Sequence, residues 1–180
     1  MNSDKTKTSQ LKKILHTRVQ ISKLNPMTVE YLGNKAILEA HKTAFLCSRQ
    51  VSSRAVLRCY DWATEMRDRG EVVVSGFQSK IEKDVLHFLL KGKQPVIMVI
   101  ARQMYKTLPQ ELQAPLEEGR LLIISTAPTA TRVGKTAAEQ RNTYIAEIAD
   151  SIVFGYIHPE SSLKEIYKQH YNKSIIICPD

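Results

Sequence analysis

Basic and hydroxyl side chains gather in five places along this 180-residue chain, each just after a short apolar run. The groups are Ser48, Arg49, Ser52, Ser53 and Arg54; then Ser75, Gly76, Gln78, Ser79 and Lys80; then Arg102. Ser125, Thr126, Thr129, Thr131, Arg132 and Lys135 form the fourth, and Gly155, Tyr156, Ser161 and Ser162 the fifth. Guanidinium and ammonium groups beside short hydroxyls are the side chains that hold phosphate. Carboxylates are nearly absent from these groups until Glu82 and Asp84, whereas Asp61, Glu65, Asp68, Glu71, Glu117 and Glu118 fall mid-helix or near helix ends that lead away. The pattern implies an anion-binding crevice; solvated surface charge with ordinary helix caps is the bland alternative.

Other chemistry finds little support. Neither G-x-G-x-x-G nor G-x-x-x-x-G-K-[ST] occurs, which disfavours ordinary dinucleotide binding and P-loop hydrolysis. Gly134-Lys135-Thr136 looks like the tail of a P-loop, but no glycine stands at the required upstream position. Ser48, Ser75 and Ser79 have no evident His and Asp partners, so no catalytic residue is assigned. His87 is expected to be a packed core histidine, and Glu82 suits either capping of backbone N–H groups or a ligand contact. The five histidines and three cysteines lack metal-ligand or disulfide spacing, so neither metal nor cofactor is expected and the thiols read as small buried side chains of a reducing compartment.

The net charge of +8 is unevenly distributed. Residues 1–25 hold six basic residues against Asp4, and the other 155 residues hold 20 basic against 17 acidic. Residues 1–25 are therefore read as a basic, partly flexible segment, and 26–180 as one domain. The polar start has no signal-peptide stretch, and no apolar run approaches the roughly 20 residues of a membrane span. A cytoplasmic protein with no membrane partner is expected.

The elements that must position the phosphate-type groups follow from alternation along the chain. Leu11, Ile14, Leu15 and Val19 have helical spacing. Asn25 or Thr28 could cap a helix running to about Ala40. Six near-continuous apolar strands are then expected at 43–47, 72–74, 95–100, 121–124, 152–154 and 174–177, separated by helices. This predicts an α/β, Rossmann-like three-layer sandwich with a mainly parallel sheet of about six strands. In such sheets ligands bind beyond the carboxyl ends of the strands. Ser48, Arg49, Ser75 to Lys80, Arg102 and Arg141 are expected to line one depression there, with Lys80 supplying a phosphate contact.

Those residues also resemble a known family. Ser75-Gly76-Phe77-Gln78-Ser79-Lys80-Ile81-Glu82 after a Val-rich strand is similar to the S-G-x-x-x-x-I-D/E turn of the DNA-processing protein A (DprA/Smf) family. Cys47-Ser48-Arg49 resembles its G-S-R, and Arg141-Asn142 with Ile145-Ala146 and Asp150 resembles its R-N-R-I-I-A-x-L-[SA]-D stretch. Ser161-Ser162 is similar to its Ser-Gly-Ser turn, and Ile177-Cys178-Pro179 to its closing V-P-G. The match runs over roughly 43–180. Departures are Cys47 for Gly, Lys80 for Gly, Glu82 for Asp and Thr143 for the second Arg. The resemblance implies a non-catalytic single-stranded DNA-binding protein of recombination and natural transformation, with a recombinase as possible partner and a homodimer as possible assembly. Its binding residues would be Ser48, Arg49, Ser75, Gly76, Phe77, Gln78, Ser79, Lys80, Arg102, Arg141, Asn142, Ser161 and Ser162. The alternative is a nucleotide-ligand binder or a phosphoribohydrolase of the related LOG proteins. Pro159-Glu160-Ser161-Ser162 lacks the glycine run of the LOG motif P-G-G-x-G-T-x-x-E.

Overall fold

The structure, a computed structural model, describes residues 17–21 and 27–179. All six expected parallel strands are present: β3 (Lys42–Leu46), β4 (Val72–Ser75), β5 (Val96–Ile100), β6 (Leu121–Ser125), β7 (Ser151–Phe154) and β8 (Ser174–Ile176). Two further strands, β1 (Thr17–Ile21) and β2 (Met27–Gly33), extend the sheet in antiparallel fashion, giving eight strands in the order β1-β2-β6-β5-β4-β3-β7-β8.

β1 and β2 correct the reading of the N-terminal region. Val19 lies in β1, not in a helix, while Leu11, Ile14 and Leu15 lie outside the described residues. No helix runs to Ala40 from Thr28, which is itself in β2; Asn25 lies outside the described residues. A 3-10 turn at Lys35–Glu39, capped by the Asn34 side chain, takes the end of that stretch. The physical reason is the open edge of β6. Its backbone groups need partners, and Val29 and Tyr31 alternate with Thr28 and Glu30, so one face of β2 joins the core.

Strands buried on both faces need apolar residues at successive positions, and β3, β4, β5 and β6 are buried throughout. Phe45, Val73, Met98 and Ile123 face one layer of helices, α1 (Ser53–Arg69), α2 (Lys80–Leu90) and α3 (Gln110–Glu117). Ala44, Val74, Ile97 and Ile124 face the other, α4 (Lys135–Ile148) and α5 (Leu163–Gln169). Phe45 stacks on Trp62 of α1 with ring centroids 4.8 Å apart, locking that helix over β3. α1 ends at Gly70, whose positive φ of 73° closes the helix C-terminus. Among the described residues no helix is long and apolar enough to cross a membrane.

The order of the parallel strands fixes where a ligand would meet the protein. From β3 the chain steps outward through β4, β5 and β6, then returns to place β7 on the other side of β3. The connections therefore diverge around β3, and in such sheets ligands are expected at its carboxyl end, between the loops after β3 and β4 and the loop after β7.

Candidate functional site

The turn after β4 is built by its own side chains. Ser79 caps α2: its Oγ accepts from Glu82 N at 3.2 Å, while Glu82 Oε2 accepts from Gln78 N at 2.9 Å and Ser79 N at 3.1 Å. This reciprocal arrangement satisfies donors that the helix start leaves open. Glu82 is buried and thereby fulfils the capping expectation. Phe77 takes a positive φ of 48° and is 2% exposed, so its ring packs into the core below the turn and presents no face for base stacking.

Arg141 reaches this turn from α4, on the opposite face of the sheet. Its guanidinium lies against the Cα of Gly76: a Cβ there would come 2.8 Å from both Cζ and Nε. Only glycine permits that approach. Arg141 is 5% exposed, and its Nε and Nη2 donate to Asn142 Oδ1 at 3.2 and 2.9 Å. Its Nη1 is buried and has no hydrogen-bond partner among the described residues. No ion pair to Arg141 occurs among the described residues within 4.0 Å. Burial pushes its pKa below the usual arginine range; Glu82 opposes the shift and nearby Arg49 adds to it. A buried guanidinium hydrogen-bonded only to a neutral amide is costly, because the field of Glu82 offsets its desolvation only in part and no carboxylate among the described residues pairs with it directly. An anion that reached Nη1, which is closed to solvent here, would offset it.

The remaining expected residues separate into three groups. Arg49 is exposed, forms no ion pair among the described residues and acts electrostatically on Arg141, so the two cations lie near one another. Ser48, Ser75 and Ser161 hold loops. Ser48 Oγ accepts from His158 N at 2.9 Å, Ser75 Oγ from Phe77 N at 3.4 Å, and Ser161 Oγ from Leu163 N at 3.2 Å. Arg102 lies 4.6 Å over the Tyr105 ring, its carbonyl accepting from Ser125 Oγ at 2.6 Å. Gln78 is half-buried, and Ser162 is exposed at the start of α5.

Lys80, expected to make a phosphate contact, is engaged by a carboxylate. Its ammonium pairs with Asp84 at 3.1 Å on the outer surface of α2, and Asp84 also accepts from Tyr60 of α1 at 2.6 Å. That bond raises the Tyr60 hydroxyl to about 12. His87, expected in the core, is exposed: α2 buries Ile81, Val85, Leu86 and Leu89, and His87 falls on the opposite stripe. The three cysteines are free and buried.

Sequence reasoning grouped Arg132 and Lys135 with the phosphate-type residues but missed that the helix start between them has no side-chain cap among the described residues. α4 begins at Gly134 with no side-chain cap, and 131–136 are all exposed. Its first N–H groups, beside Arg132 and Lys135, complete a positive helix end. The signal was Gly134-Lys135-Thr136 itself, whose glycine cannot cap through a side chain.

The family model of DNA recombination-mediator protein A matches residues 5–178. The chain belongs to that family. Two solved structures of DNA processing protein A share its fold. That from Helicobacter pylori, which concerns that protein's own single-stranded DNA binding mode, is 16% identical with a TM-score of 0.70, covering 91% of this chain and 81% of that one. That from Streptococcus pneumoniae is 16% identical with a TM-score of 0.73, covering 99% and 68%. A molybdenum cofactor binding protein from Rippkaea orientalis, 10% identical over 76% of this chain and 75% of that one, has a TM-score of 0.54. No curated protein matches the sequence. At these identities the structural likeness is one of fold, and the family assignment rests on the family model.

Proposed function

We propose that this recombination-mediator family member binds single-stranded DNA through its phosphates in the crevice at the carboxyl ends of β3 and β4, without reacting on it. The observation that carries the reading is Arg141, a buried guanidinium with an unpartnered Nη1 and no carboxylate in ion-pair reach among the described residues. Arg49 beside it and the uncapped start of α4 supply further positive charge. Such contacts position a strand without reading its sequence. Loading of a recombinase onto the bound strand is the role that family membership suggests.

The burial of Phe77 favours a second reading. With no stacking face at the turn, the seat recognises phosphate more than base, and a free nucleotide presents the same chemistry. Titration with a single-stranded oligonucleotide, the matching duplex and mononucleotides at several salt concentrations separates the two. The expected result is tightest binding to the single strand, with log affinity falling by about 0.7 per phosphate contacted for each decade of salt. Equal or tighter binding of a mononucleotide would establish the nucleotide reading instead.

A further inference from the structure

Arg141 and Asn142 are adjacent in α4, yet their side chains meet: both Nε and Nη2 converge on one amide oxygen, at 3.2 and 2.9 Å. Two bonds to one acceptor fix the plane of the guanidinium. The bare Cα of Gly76 lies against it, where a Cβ would come 2.8 Å from Cζ. Nη1 is the donor left over, buried and unpartnered among the described residues. The acceptor is neutral. A carboxylate at 142 would make the same two bonds and also cancel the charge. Glu82, the buried carboxylate whose field reaches Arg141, is directed instead to the backbone N–H groups of Gln78 and Ser79.

We infer that Asn142 and Gly76 are positioning residues: together they orient the buried Arg141 guanidinium and leave it without a directly paired counter-ion, to be met by a phosphate. Asn142 acts by its neutrality as much as by its geometry, and Gly76 by the space it leaves. The inference rests on the reading of the crevice as a single-strand site.

The test compares four full-length chains, wild type, Asn142→Asp, Gly76→Ala and Arg141→Met, in affinity for a single-stranded oligonucleotide across salt concentrations and in thermal midpoint. Asn142→Asp is isosteric and gives Arg141 a counter-ion. It is expected to hold or raise Tm while weakening binding by about tenfold and making the salt slope shallower by about 0.7. A merely structural Asn142 would not move the two readouts in opposite directions. Gly76→Ala adds a methyl and no charge, so it separates displacement of Arg141 from simple repulsion of DNA. It is expected to give the same shallower slope, and an unchanged slope would remove Gly76 from the assignment. If Asn142→Asp binds as wild type while Arg141→Met is weakened, the inference fails and the crevice reading stands. A fall in Tm together with affinity in Asn142→Asp would also overturn it. If Arg141→Met itself binds as wild type, the crevice reading falls, and this inference with it.

Discussion

Two buried cations sit at opposite edges of the same sheet, and the protein treats them differently. Lys42, 8% exposed at the amino end of β3, has its ammonium 3.1 Å from Asp150 and 3.0 Å from the Ala40 carbonyl. The backbones of Lys42 and Asp150 are tied as well, with Lys42 N donating to the Asp150 carboxylate at 2.9 Å and Asp150 N to the Lys42 carbonyl at 3.0 Å. Nearby, Lys173 donates to the Ala146 and Ala149 carbonyls at 2.8 and 2.7 Å, closing the C-terminus of α4. A pocket of about 230 Å³ opens at this edge, but Lys173 and the mutually bonded Thr43 and Ser151 in its wall are already engaged. Arg141, at the carboxyl edge, is buried to the same degree and is offered only an amide. Burial of charge is therefore no mark of function by itself. What distinguishes Arg141 from Lys42 is that no carboxylate among the described residues pairs with it directly.

The largest effect should come from breaking the paired edge. Asp150→Ala removes the partner of the buried Lys42 ammonium and is expected to cost about 2 kcal/mol in urea denaturation, less than a fully buried pair because the carboxylate side is 44% exposed, with single-strand affinity unchanged. Arg141→Met should behave in the opposite way. Replacing a buried charge that lacks a directly paired carboxylate by an apolar chain of similar length is expected to leave stability unchanged or raise it by about 1 kcal/mol. A destabilisation equal to that of Asp150→Ala would make Arg141 a structural cation like Lys42 and erase the contrast. A smaller effect is expected at Lys80, whose ammonium already pairs with Asp84 on an exposed surface. Lys80→Ala should change single-strand affinity by less than about twofold, because exposed i,i+4 pairs are weak and solvated. A tenfold loss, measured in the same titration, would return Lys80 to the crevice.

The smallest effect is in acid. The Asp150 carboxyl is held below the ordinary range by the Lys42 backbone and ammonium. Burial alone would raise the Asp84 carboxyl, but hydrogen bonds from Tyr60 and Lys80 outweigh it and lower it. Both groups are depressed in the folded state, so each stabilises the protein above the unfolded value of about 3.9, and that stability is lost as pH falls through the folded value. Denaturation midpoints for wild type and Asp150→Asn should converge as pH drops below about 4.

The parallel half of the fold was legible because strands buried on both faces must be continuously apolar, as Val72 to Val74 and Leu121 to Ile124 are. β2 was harder. Its apolar residues Val29, Tyr31 and Leu32 fit a helix about as well as a strand, and only the open edge of β6, a tertiary fact, decides between them. At the site, the family-like turn pointed to Ser75, Gly76 and Arg141, and the structure brings Gly76 and Arg141 into contact. Side-chain direction was not legible. Phe77 turns into the core through a positive φ, and Lys80 turns outward to Asp84, a partner one helical turn away. His87 was misplaced for a related reason: mid-helix position says nothing of face until the buried stripe is known.

The central claim, that Arg141, which has no directly paired carboxylate among the described residues, is the seat of a strand phosphate, is tested most directly by the salt dependence of oligonucleotide binding in wild type and Arg141→Met. Both full-length chains carry the same basic N-terminal residues, so the difference between their slopes isolates the crevice. The expected result is weaker binding for the variant, with a slope shallower by about 0.7, one phosphate contact. Identical slopes and affinities would show that DNA, if bound, is held elsewhere.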